Sequence, residues 1–352
     1  MILHVCNLDK FIPPFVKLVN EEFGEENHQF WLPDVEKLNE HPLEKADNIY
    51  IGKRTSTGQL CAYLQLLLML HRAEKVILHG LFNSRIIRLL ALCPWLLKKC
   101  YWVIWGGDLY QYQKPKPRLR DKIKESLRRF VIKRIGHLVT YIPGDVELAR
   151  KWYSARGEYH ECLMYLSNVV NPQVLKGAEQ AKEAHSGLNI LVGNSADPSN
   201  NHLDALEKLL PYKDQDISIY MPLSYGNQAH VEKLIEKGRD WFGDKFIPIT
   251  SFMPFEQYLA FLKSVDIAIF NHKRQQAMGN IITLLGLSKT IYMRKGVSHW
   301  VFLTEIGNNI KPLSDFSLQL LPETELSDNA EAVWSYFSKD RLVIQLSNIF
   351  RS

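Results

Sequence analysis

Two stretches of this chain carry residues whose types and spacing could bind phosphate. The first, residues 188–206 with the sequence LNILVGNSADPSNNHLDAL, opens with an apolar run, turns at Gly193 and continues into a helical pattern. A glycine turn between a buried strand and a helix N-terminus favours an anion, because free backbone N–H groups and the helix dipole point at the turn. Asn194 and Ser195 add short polar side chains there. Neither a GxGxxG fingerprint nor a Walker loop is present, so the stretch alone also fits an ordinary strand–loop–helix unit.

The second stretch, residues 271–280 with the sequence NHKRQQAMGN, has the highest density of polar groups directly after an apolar run. Arg274 supplies a cation, Gln275 and Gln276 supply amides, and Gly279 and Asn280 precede a helical pattern. An exposed charge on a loop is the simpler interpretation of the cation taken singly. Because ligands of parallel sheets bind beyond the carboxyl ends of the strands, both stretches are expected at one sheet edge, where together they favour a diphosphate.

Four residues of the C-terminal half of the chain, which also holds both phosphate-type stretches, could border a nucleoside. Aromatic rings could stack on the base, and a carboxylate could accept a hydrogen bond from the ribose or the base. Aromatic residues at such positions belong to a core just as often. The residues are Tyr220, Tyr225, Phe255 and Glu256.

The first half of the chain offers two candidates for a general base. Asp108 follows Gly106 and Gly107 at the end of an apolar run, where its carboxylate could project from the sheet edge. His79 ends another apolar run. The structural alternatives are a helix N-cap for Asp108 and a packed, hydrogen-bonded histidine for His79.

A basic stretch at residues 114–134, KPKPRLRDKIKESLRRFVIKR, carries ten cations and only two acids, Asp121 and Glu125. A charge run of this kind is most often a solvated helix face, but its single sign favours an anionic partner. Anionic lipid is the expected counterpart, aided by apolar residues 95–97, which we expect to be exposed, and nucleic acid is the rival. The residues expected to face the membrane are Lys116, Arg120, Arg128, Arg129, Lys133 and Arg134.

The elements that would position these residues alternate along the chain. Short apolar runs alternate with helical patterns through residues 1–170, including a last run at 162–166, and the alternation restarts at 189 after a polar linker near 171–186. Repeated βα units predict doubly wound parallel sheets, so we expect an α/β protein of two Rossmann-like domains facing each other across a cleft. We place the first domain at 1–170, the second at 186–327, and a helical tail at 328–352 that packs back on the first domain.

Composition sets wider bounds. The chain has 352 residues, 46% hydrophobic and 23% charged, with a net charge of +5, which suits two globular domains. Its five cysteines are scattered without a CxxC pair, so we expect reduced cysteines and neither a metal site nor disulfides. No apolar run is long enough to span a membrane, and the N-terminus lacks the basic region of a signal peptide.

Four motifs resemble one family. WVIWGGDLYQY (102–112), ILVGNSADPSNNHLDAL (190–206), PFEQYLAFLKSVDIAIF (254–270) and RQQAMGN (274–280) are similar, in this order, to the TDP-N-acetylfucosamine:lipid II N-acetylfucosaminyltransferase family. This family has histidine where Val103 stands and Gly-Ile-Gly-Thr where residues 277–280 stand.

The resemblance implies a GT-B glycosyltransferase that is inverting and independent of metal, with no cofactor. Its domain at 1–170 would bind the acceptor, and its domain at 186–327 would bind the nucleotide sugar. It would be peripheral on the cytoplasmic face of the inner membrane. There it would move a deoxy amino sugar from a dTDP donor to a polyprenyl-diphosphate glycan in enterobacterial common antigen or related surface polysaccharide synthesis. Its partners would be that donor, that acceptor and an anionic membrane surface, with no nucleic acid. The competing class, a non-catalytic nucleic-acid-binding protein, depends only on the basic stretch and the pI near 8.7.

Overall fold

A computed structural model describes residues 1–33, 38–53, 55–176 and 186–351 of the chain. The chain divides into an N-terminal unit, Met1–Ser167 together with Asp340–Ser352, and a C-terminal unit, Asn168–Lys339. Each unit holds one parallel sheet with helices on its faces, as predicted for a doubly wound α/β fold. The predicted linker lies largely outside the described residues.

The N-terminal unit is built on a seven-stranded sheet in the order β3-β2-β1-β4-β5-β6-β7. Its paired strands run parallel, and the strand order reverses between β1 and β4. The strands are β1 Ile2–Val5, β2 His28–Leu32, β3 Ile49–Ile51, β4 Lys75–His79, β5 Cys100–Val103, β6 His137–Thr140 and β7 Glu158–Glu161. The helices are α1 Ile12–Phe23, α2 Ser56–Arg72, α3 Ser84–Leu92, α4 Leu119–Arg134 and α5 Pro143–Tyr153.

The C-terminal unit has a six-stranded sheet in the order β10-β9-β8-β11-β12-β13, in which the order reverses between β8 and β11. Its strands are β8 Leu188–Val192, β9 Ile217–Pro222, β10 Phe246–Ile249, β11 Ile267–Phe270, β12 Thr290–Met293 and β13 Lys311–Pro312. Its helices are α6 Pro172–Lys176, α7 His202–Leu209, α8 Gln228–Phe242, α9 Phe255–Ser264, α10 Met278–Gly286, α11 Ser298–Glu305 and α12 Glu323–Tyr336.

The expected helical tail consists of two helices rather than one. Helix α12 belongs to the C-terminal unit, and a last helix, α13 Lys339–Arg351, belongs to the N-terminal unit. Leu342, Leu346 and Ile349 of α13 are buried, and Lys75 Nζ donates to the Ile349 carbonyl oxygen at 2.9 Å. The boundary predicted at residue 328 therefore falls inside α12, because the hydrophobic pattern runs through both helices without marking the break between them.

Local sequence explains where several helices begin. Thr55 caps α2 by accepting from Gly58 N, and Asn83 caps α3 by accepting from Arg85 N and Ile86 N. Strands β1 and β5 are buried at every residue, which explains why their apolar runs were recognised. The predicted last strand at 162–166 is wrong: the strand is the polar β7, an edge strand that leaves Glu158 and Glu161 exposed. Strand β2 was also missed, although its residues 30–32 are apolar and buried, because the polar His28 and Gln29 begin it.

Candidate functional site

The C-terminal unit places its first phosphate-type loop at the carboxyl end of β8, beside the reversal of strand order. Gly193 adopts φ +71°, and a Cβ there would lie 2.8 Å from Asn200 Oδ1 and 2.9 Å from His202 Nε2. Because both distances are shorter than real Cβ contacts, glycine is required at this turn on steric as well as conformational grounds. The turn is fixed to β11 by the bond from Gly193 N to the Ile269 carbonyl oxygen at 2.9 Å.

A polar network joins this turn to the loop after β11. Asn200 Oδ1 accepts from Asn194 N at 3.0 Å and lies 2.7 Å from His272 Nε2. Asn200 Nδ2 donates to the Asp197 carbonyl oxygen, which fixes the orientation of the amide. His272 Nε2 therefore carries a proton, and its Nδ1 is the ring's acceptor atom.

Buried nitrogens without partners lie on the same side of the sheet. Among the described residues, His272 Nδ1 and both ring nitrogens of His299 are buried and accept or donate no hydrogen bond. The two rings lie 6.4 Å apart between centroids. Burial lowers the pKa of both histidines, that of His299 to about 3, and the Arg274 charge acts in the same direction. Unpaired buried polar atoms around a cation are expected where a polar ligand completes the site.

The loop after β11 brings the predicted donor residues to this network. Arg274 Nη2 lies 3.5 Å from Asp197 Oδ2 and is about one quarter exposed. Gln276 Nε2 donates to Asn194 Oδ1 at 3.2 Å, and Ser199 Oγ donates to Gln276 Oε1 at 2.7 Å. The structure thus brings together Asn194, Arg274 and Gln276, whose loops are separated by about eighty residues of sequence.

Other predicted residues of this unit lie around the network with different roles. Asn280 Nδ2 donates to Tyr258 Oη at 2.8 Å, and Asn194 Nδ2 donates to Tyr225 Oη at 3.3 Å. The Tyr220 ring packs 5.3 Å from that of Phe261 on α9, so Tyr220 takes part in helix packing.

Five more predicted positions belong to this side of the unit. Ser195 is buried and its Oγ accepts from Asn200 Nδ2 at 3.4 Å. The Gln275 carbonyl oxygen accepts from Arg274 Nη1, and that of Gly279 from Thr283 Oγ1. Glu256 is exposed in the first turn of α9, and the side chain of Phe255 lies outside the described part of the structure.

In the N-terminal unit, Asp108 is fully buried at the carboxyl end of β5. Its Oδ1 accepts from the backbone nitrogens of Trp105 at 3.0 Å and Leu109 at 2.9 Å. Its Oδ2 accepts from Leu81 N at 2.9 Å and from Trp102 Nε1 at 2.6 Å. Burial raises the pKa of Asp108, whereas these donors and Arg128 lower it. Because all four bonds come from N–H donors, the ionised carboxylate fits the site, and Asp108 ties the loop after β5 to the loop after β4.

His79 is buried in a chain of hydrogen-bonded rings. Its Nδ1 lies 2.6 Å from Tyr165 Oη and its Nε2 lies 3.1 Å from His4 Nδ1, while His4 Nε2 lies 3.0 Å from His28 Nδ1. Burial lowers the pKa of His79 to about 3. Both ring nitrogens of His79 and both carboxylate oxygens of Asp108 are already bonded inside the fold. The geometry therefore does not favour the predicted base role for either residue.

A different carboxylate lies at the reversal of strand order in this unit. Asp9 follows β1, and its backbone oxygen accepts from Ile12 N at the start of α1. Its Oδ1 is buried and has no hydrogen-bond partner among the described residues. The sequence analysis missed Asp9 because no glycine marks its turn. Its position directly after the first strand was the available signal.

Aromatic rings lie at the same carboxyl edge as Asp9. The Trp105 ring lies 5.5 Å from that of Phe11 and 5.9 Å from that of Phe82, and Phe82 is 42% exposed. Aromatic faces of this kind suit the apolar faces of sugars and prenyl chains. The edge therefore combines an unpaired carboxylate oxygen with an exposed apolar surface.

Most of the basic stretch forms α4, Leu119–Arg134, as predicted, but the cations of the stretch do not all face solvent. Arg128 is only 11% exposed and donates to the Leu81 carbonyl oxygen, and Lys116 donates to those of Gln111 and Tyr112. The remaining predicted membrane-facing residues are exposed: Arg120, Arg129, Lys133 and Arg134. Arg128 and Lys116 are thus corrected to residues that brace the fold.

Large apolar side chains are exposed on α2, α3 and α4 and on the segment that joins α3 to β5. Leu60, Leu64 and Leu68, four residues apart on α2, are 54–63% exposed and are called the leucine stripe below. Trp95 is 62% exposed, whereas its neighbours Leu96 and Leu97, which were expected to be exposed, are buried. Leu92, Leu119 and Ile123 are also exposed. No helix in the described part of the chain is long and apolar enough to cross a membrane.

Several solved structures share the fold of this chain. Sucrose-phosphate synthase from Thermosynechococcus elongatus matches with a TM-score of 0.68 at 12% identity, over 100% of this chain and 98% of that one. HepE from Anabaena, in complex with UDP, matches with a TM-score of 0.66 at 9% identity, over 99% of each chain. A glycosyltransferase from Rickettsia africae matches with a TM-score of 0.60 at 12% identity, over 99% and 97%.

Two parallel-sheet units with these neighbours define the GT-B fold of glycosyltransferases. A family model described as 4-alpha-L-fucosyltransferase, glycosyl transferase group 56, matches residues 16–307. The chain belongs to this family and is a glycosyltransferase.

Proposed function

We propose that the protein transfers a deoxy amino sugar of the N-acetylfucosamine type from a dTDP-sugar to a polyprenyl-diphosphate-linked glycan at an anionic membrane surface. The observation that carries this proposal is the network of the C-terminal unit. There Arg274, two buried histidines with unpaired nitrogens and the Gly193 turn meet at the carboxyl end of a parallel sheet. The UDP complex of HepE, a protein of the same fold, supports a nucleoside diphosphate as the donor's leaving group.

The diphosphate of the donor is expected to interact with this network by replacing weak internal contacts. Arg274 Nη2 lies 3.5 Å from Asp197 Oδ2, a loose pair that a phosphate oxygen would outcompete with shorter charge-assisted bonds. A phosphate beside His299 and His272 would raise their pKa, because an opposite charge favours the protonated ring. Protonated rings would then donate to the phosphate through nitrogens that have no partner within the described structure.

Catalysis on the acceptor side is assigned to Asp9. The acceptor hydroxyl oxygen attacks C1 of the donor sugar, the bond from C1 to the phosphate oxygen breaks, and its electron pair leaves with dTDP. The hydroxyl proton passes to the Asp9 carboxylate, whose Oδ1 has no competing partner among the described residues. One displacement at C1 inverts the anomeric configuration. Cationic and N–H groups stabilise the leaving diphosphate in place of a metal ion.

The membrane is the proposed location because one side of the N-terminal unit combines apolar and basic groups. Helices α2, α3 and α4 cover one buried cluster of the sheet, and their outer faces carry the leucine stripe and the exposed cations of α4, while Trp95 is exposed on the segment between α3 and β5. Each cation held near anionic lipid contributes about 1 kcal/mol, and each apolar side chain that enters the interface adds about 1–3 kcal/mol. Helices α2 and α4 begin at the same sheet edge that carries Asp9. An acceptor held in the membrane beside the outer faces of these helices would therefore lie near the proposed base.

The donor assignment is tested by titrating the protein with dTDP, UDP and GDP in a calorimeter. The proposal predicts saturable binding of dTDP, and weaker binding of GDP because a purine differs in size and hydrogen-bonding pattern from thymine. No binding of any nucleoside diphosphate at millimolar concentration would contradict a nucleotide-sugar donor. Preference for UDP over dTDP would retain the glycosyltransferase class and overturn the proposed donor.

A further inference from the structure

Three potential metal ligands meet in the N-terminal unit, away from the loops described above. His137 begins β6, and Glu158 and His160 lie on the neighbouring strand β7. His137 Nδ1 lies 2.9 Å from His160 Nε2 and 3.7 Å from Glu158 Oε2, and His160 Nε2 lies 4.0 Å from Glu158 Oε2. His137 and Glu158 are paired in the ladder, which holds the ligands on adjacent strands.

These three distances fit a small transition-metal ion. The point equidistant from three atoms separated by 2.9, 3.7 and 4.0 Å lies about 2.1 Å from each of them. Bonds from Zn²⁺ to imidazole nitrogen and carboxylate oxygen are about 2.0–2.2 Å long. Displacing the ion slightly out of the ligand plane would leave a fourth position toward solvent, on the side where Glu158 is 71% exposed. Two imidazoles and one carboxylate are a ligand set that favours Zn²⁺ over Mg²⁺ or Ca²⁺.

The ligand atoms are already oriented by their surroundings. The His137 ring stacks on the Tyr101 ring, with centroids 3.9 Å apart and an interplanar angle of 7°, and it also hydrogen-bonds the Lys98 backbone. A second bond to a backbone carbonyl is the usual means of fixing a metal-binding histidine.

The charges around the cluster have opposing effects. Glu158 contributes a negative charge, whereas the Lys75 ammonium acts on both histidines and would repel a cation. Lys75 Nζ is held by the carbonyl oxygens of Ile349 and Phe350 at the C-terminal end of α13, where the helix dipole is negative. The neighbouring helix end therefore partly offsets the Lys75 charge.

We infer that His137, Glu158 and His160 form a Zn²⁺ site that clamps the edge strand β7 to β6. The site lies at the amino-terminal ends of these strands, the opposite sheet edge from Asp9, so its role is structural and separate from glycosyl transfer. A clamp at this position has a physical purpose. The polar strand β7 has no buried residue of its own, and a metal bridge would tie it to the sheet without requiring apolar side chains.

The test is equilibrium dialysis of the full chain against Zn²⁺. It is carried out in a Cys61→Ser background, because Cys61 is an exposed thiol that could bind the ion elsewhere. One Zn²⁺ per chain is expected at micromolar free metal. Glu158→Gln and His160→Gln should each weaken binding at least about 100-fold, because each removes one of three ligands. His41→Gln, which changes a histidine outside the cluster, should leave binding unchanged.

A second measurement keeps the proposal testable if a variant folds poorly. Co²⁺ in the wild-type site should give the visible bands of a four- or five-coordinate nitrogen and oxygen site, and these should disappear in Glu158→Gln. Zn²⁺ should also raise the midpoint of thermal unfolding of the wild type and leave that of Glu158→Gln unchanged. The inference is overturned if the wild type binds no Zn²⁺ at a free metal concentration on the order of 100 micromolar, or if both ligand variants retain the wild-type affinity for Zn²⁺.

Discussion

Two aspartates of the N-terminal unit should respond in opposite ways to the same substitution. Asp9→Asn removes a carboxylate whose Oδ1 is buried and has no hydrogen-bond partner in the described part of the chain, so the folded state loses little. Asp108→Asn replaces one of two oxygens, each of which accepts two hydrogen bonds, by an NH₂ group that faces N–H donors. The first change should impair chemistry, and the second should impair folding.

The sizes of the two effects follow from these contacts. Asp108→Asn leaves two buried N–H groups unpaired, and each costs about 1–3 kcal/mol, which gives roughly 2–6 kcal/mol in all. For a unit of this size, such a loss lowers the unfolding midpoint on the order of 10 °C. Asp9→Asn should change the midpoint by less than about 2 °C and lower turnover by roughly 10²- to 10⁴-fold, the usual contribution of a positioned base.

Thermal unfolding and single-turnover transfer, measured on the same preparations, separate the two roles. Donor affinity should be unchanged in Asp9→Asn, because the substitution lies outside the C-terminal unit. The reasoning is refuted if Asp108→Asn folds with the wild-type midpoint and is inactive while Asp9→Asn retains normal turnover. Asp108 would then be the base, as the sequence alone had suggested.

Three further predictions concern the donor, pH and the membrane. Arg274→Ala should weaken dTDP binding about 10- to 100-fold, since a charge-assisted hydrogen bond contributes about 1.5–3 kcal/mol. Lys273→Ala, which changes the exposed neighbouring residue, should change dTDP binding less than about threefold. Equal effects of the two substitutions in calorimetry would exclude Arg274 from the donor site. The folded-state pKa of His79 and that of His299 are both lowered to about 3, so the unfolded chain binds more protons below pH 6.5. The contribution of these two histidines to the free energy of unfolding should therefore be fully present above pH 6.5. It should fall by about 1.4 kcal/mol per pH unit for each histidine as the pH decreases toward 3. Denaturant titrations that give the same free energy of unfolding at pH 7.5 and 5.5 would contradict this prediction. Replacing the leucine stripe by glutamine should abolish co-flotation with vesicles of anionic lipid and leave dTDP binding intact, and undiminished flotation of that variant would exclude α2 from the membrane contact.

Sequence patterns predicted several interior strands and missed two strands at sheet edges. Strands such as β1, β5 and β8 lie inside their sheets, so their apolar runs identify them. Strands β7 and β13 lie at sheet edges, where one side of the ladder needs no apolar cover, and their sequences therefore resemble loops. Periodicity records burial, and only indirectly the backbone pairing that defines a strand.

The candidate site was predictable as far as its loops but not as far as its contacts. The rule that ligands bind at carboxyl ends of strands selected the loops of Asn194 and Arg274, which the structure brings together. The same rule could not distinguish the roles of Asp108 and Asp9, because both follow strands, and only the structure shows that Asp108 caps the fold. The unpaired nitrogens of His272 and His299 depend on tertiary packing, and no spacing in the sequence marks them.

The most direct test of the account is transfer itself. The protein is incubated with a labelled dTDP-linked deoxy amino sugar and with vesicles that contain a polyprenyl-diphosphate-linked glycan, and the lipid extract is analysed by mass spectrometry. The account predicts that the glycolipid gains one deoxy amino sugar with inverted anomeric configuration, that dTDP is released in equal amount, and that Asp9→Asn forms the product at least about 100-fold more slowly. Labelled sugar that stays on the nucleotide in the presence of the wild-type protein, or product formed equally fast by Asp9→Asn, would contradict it.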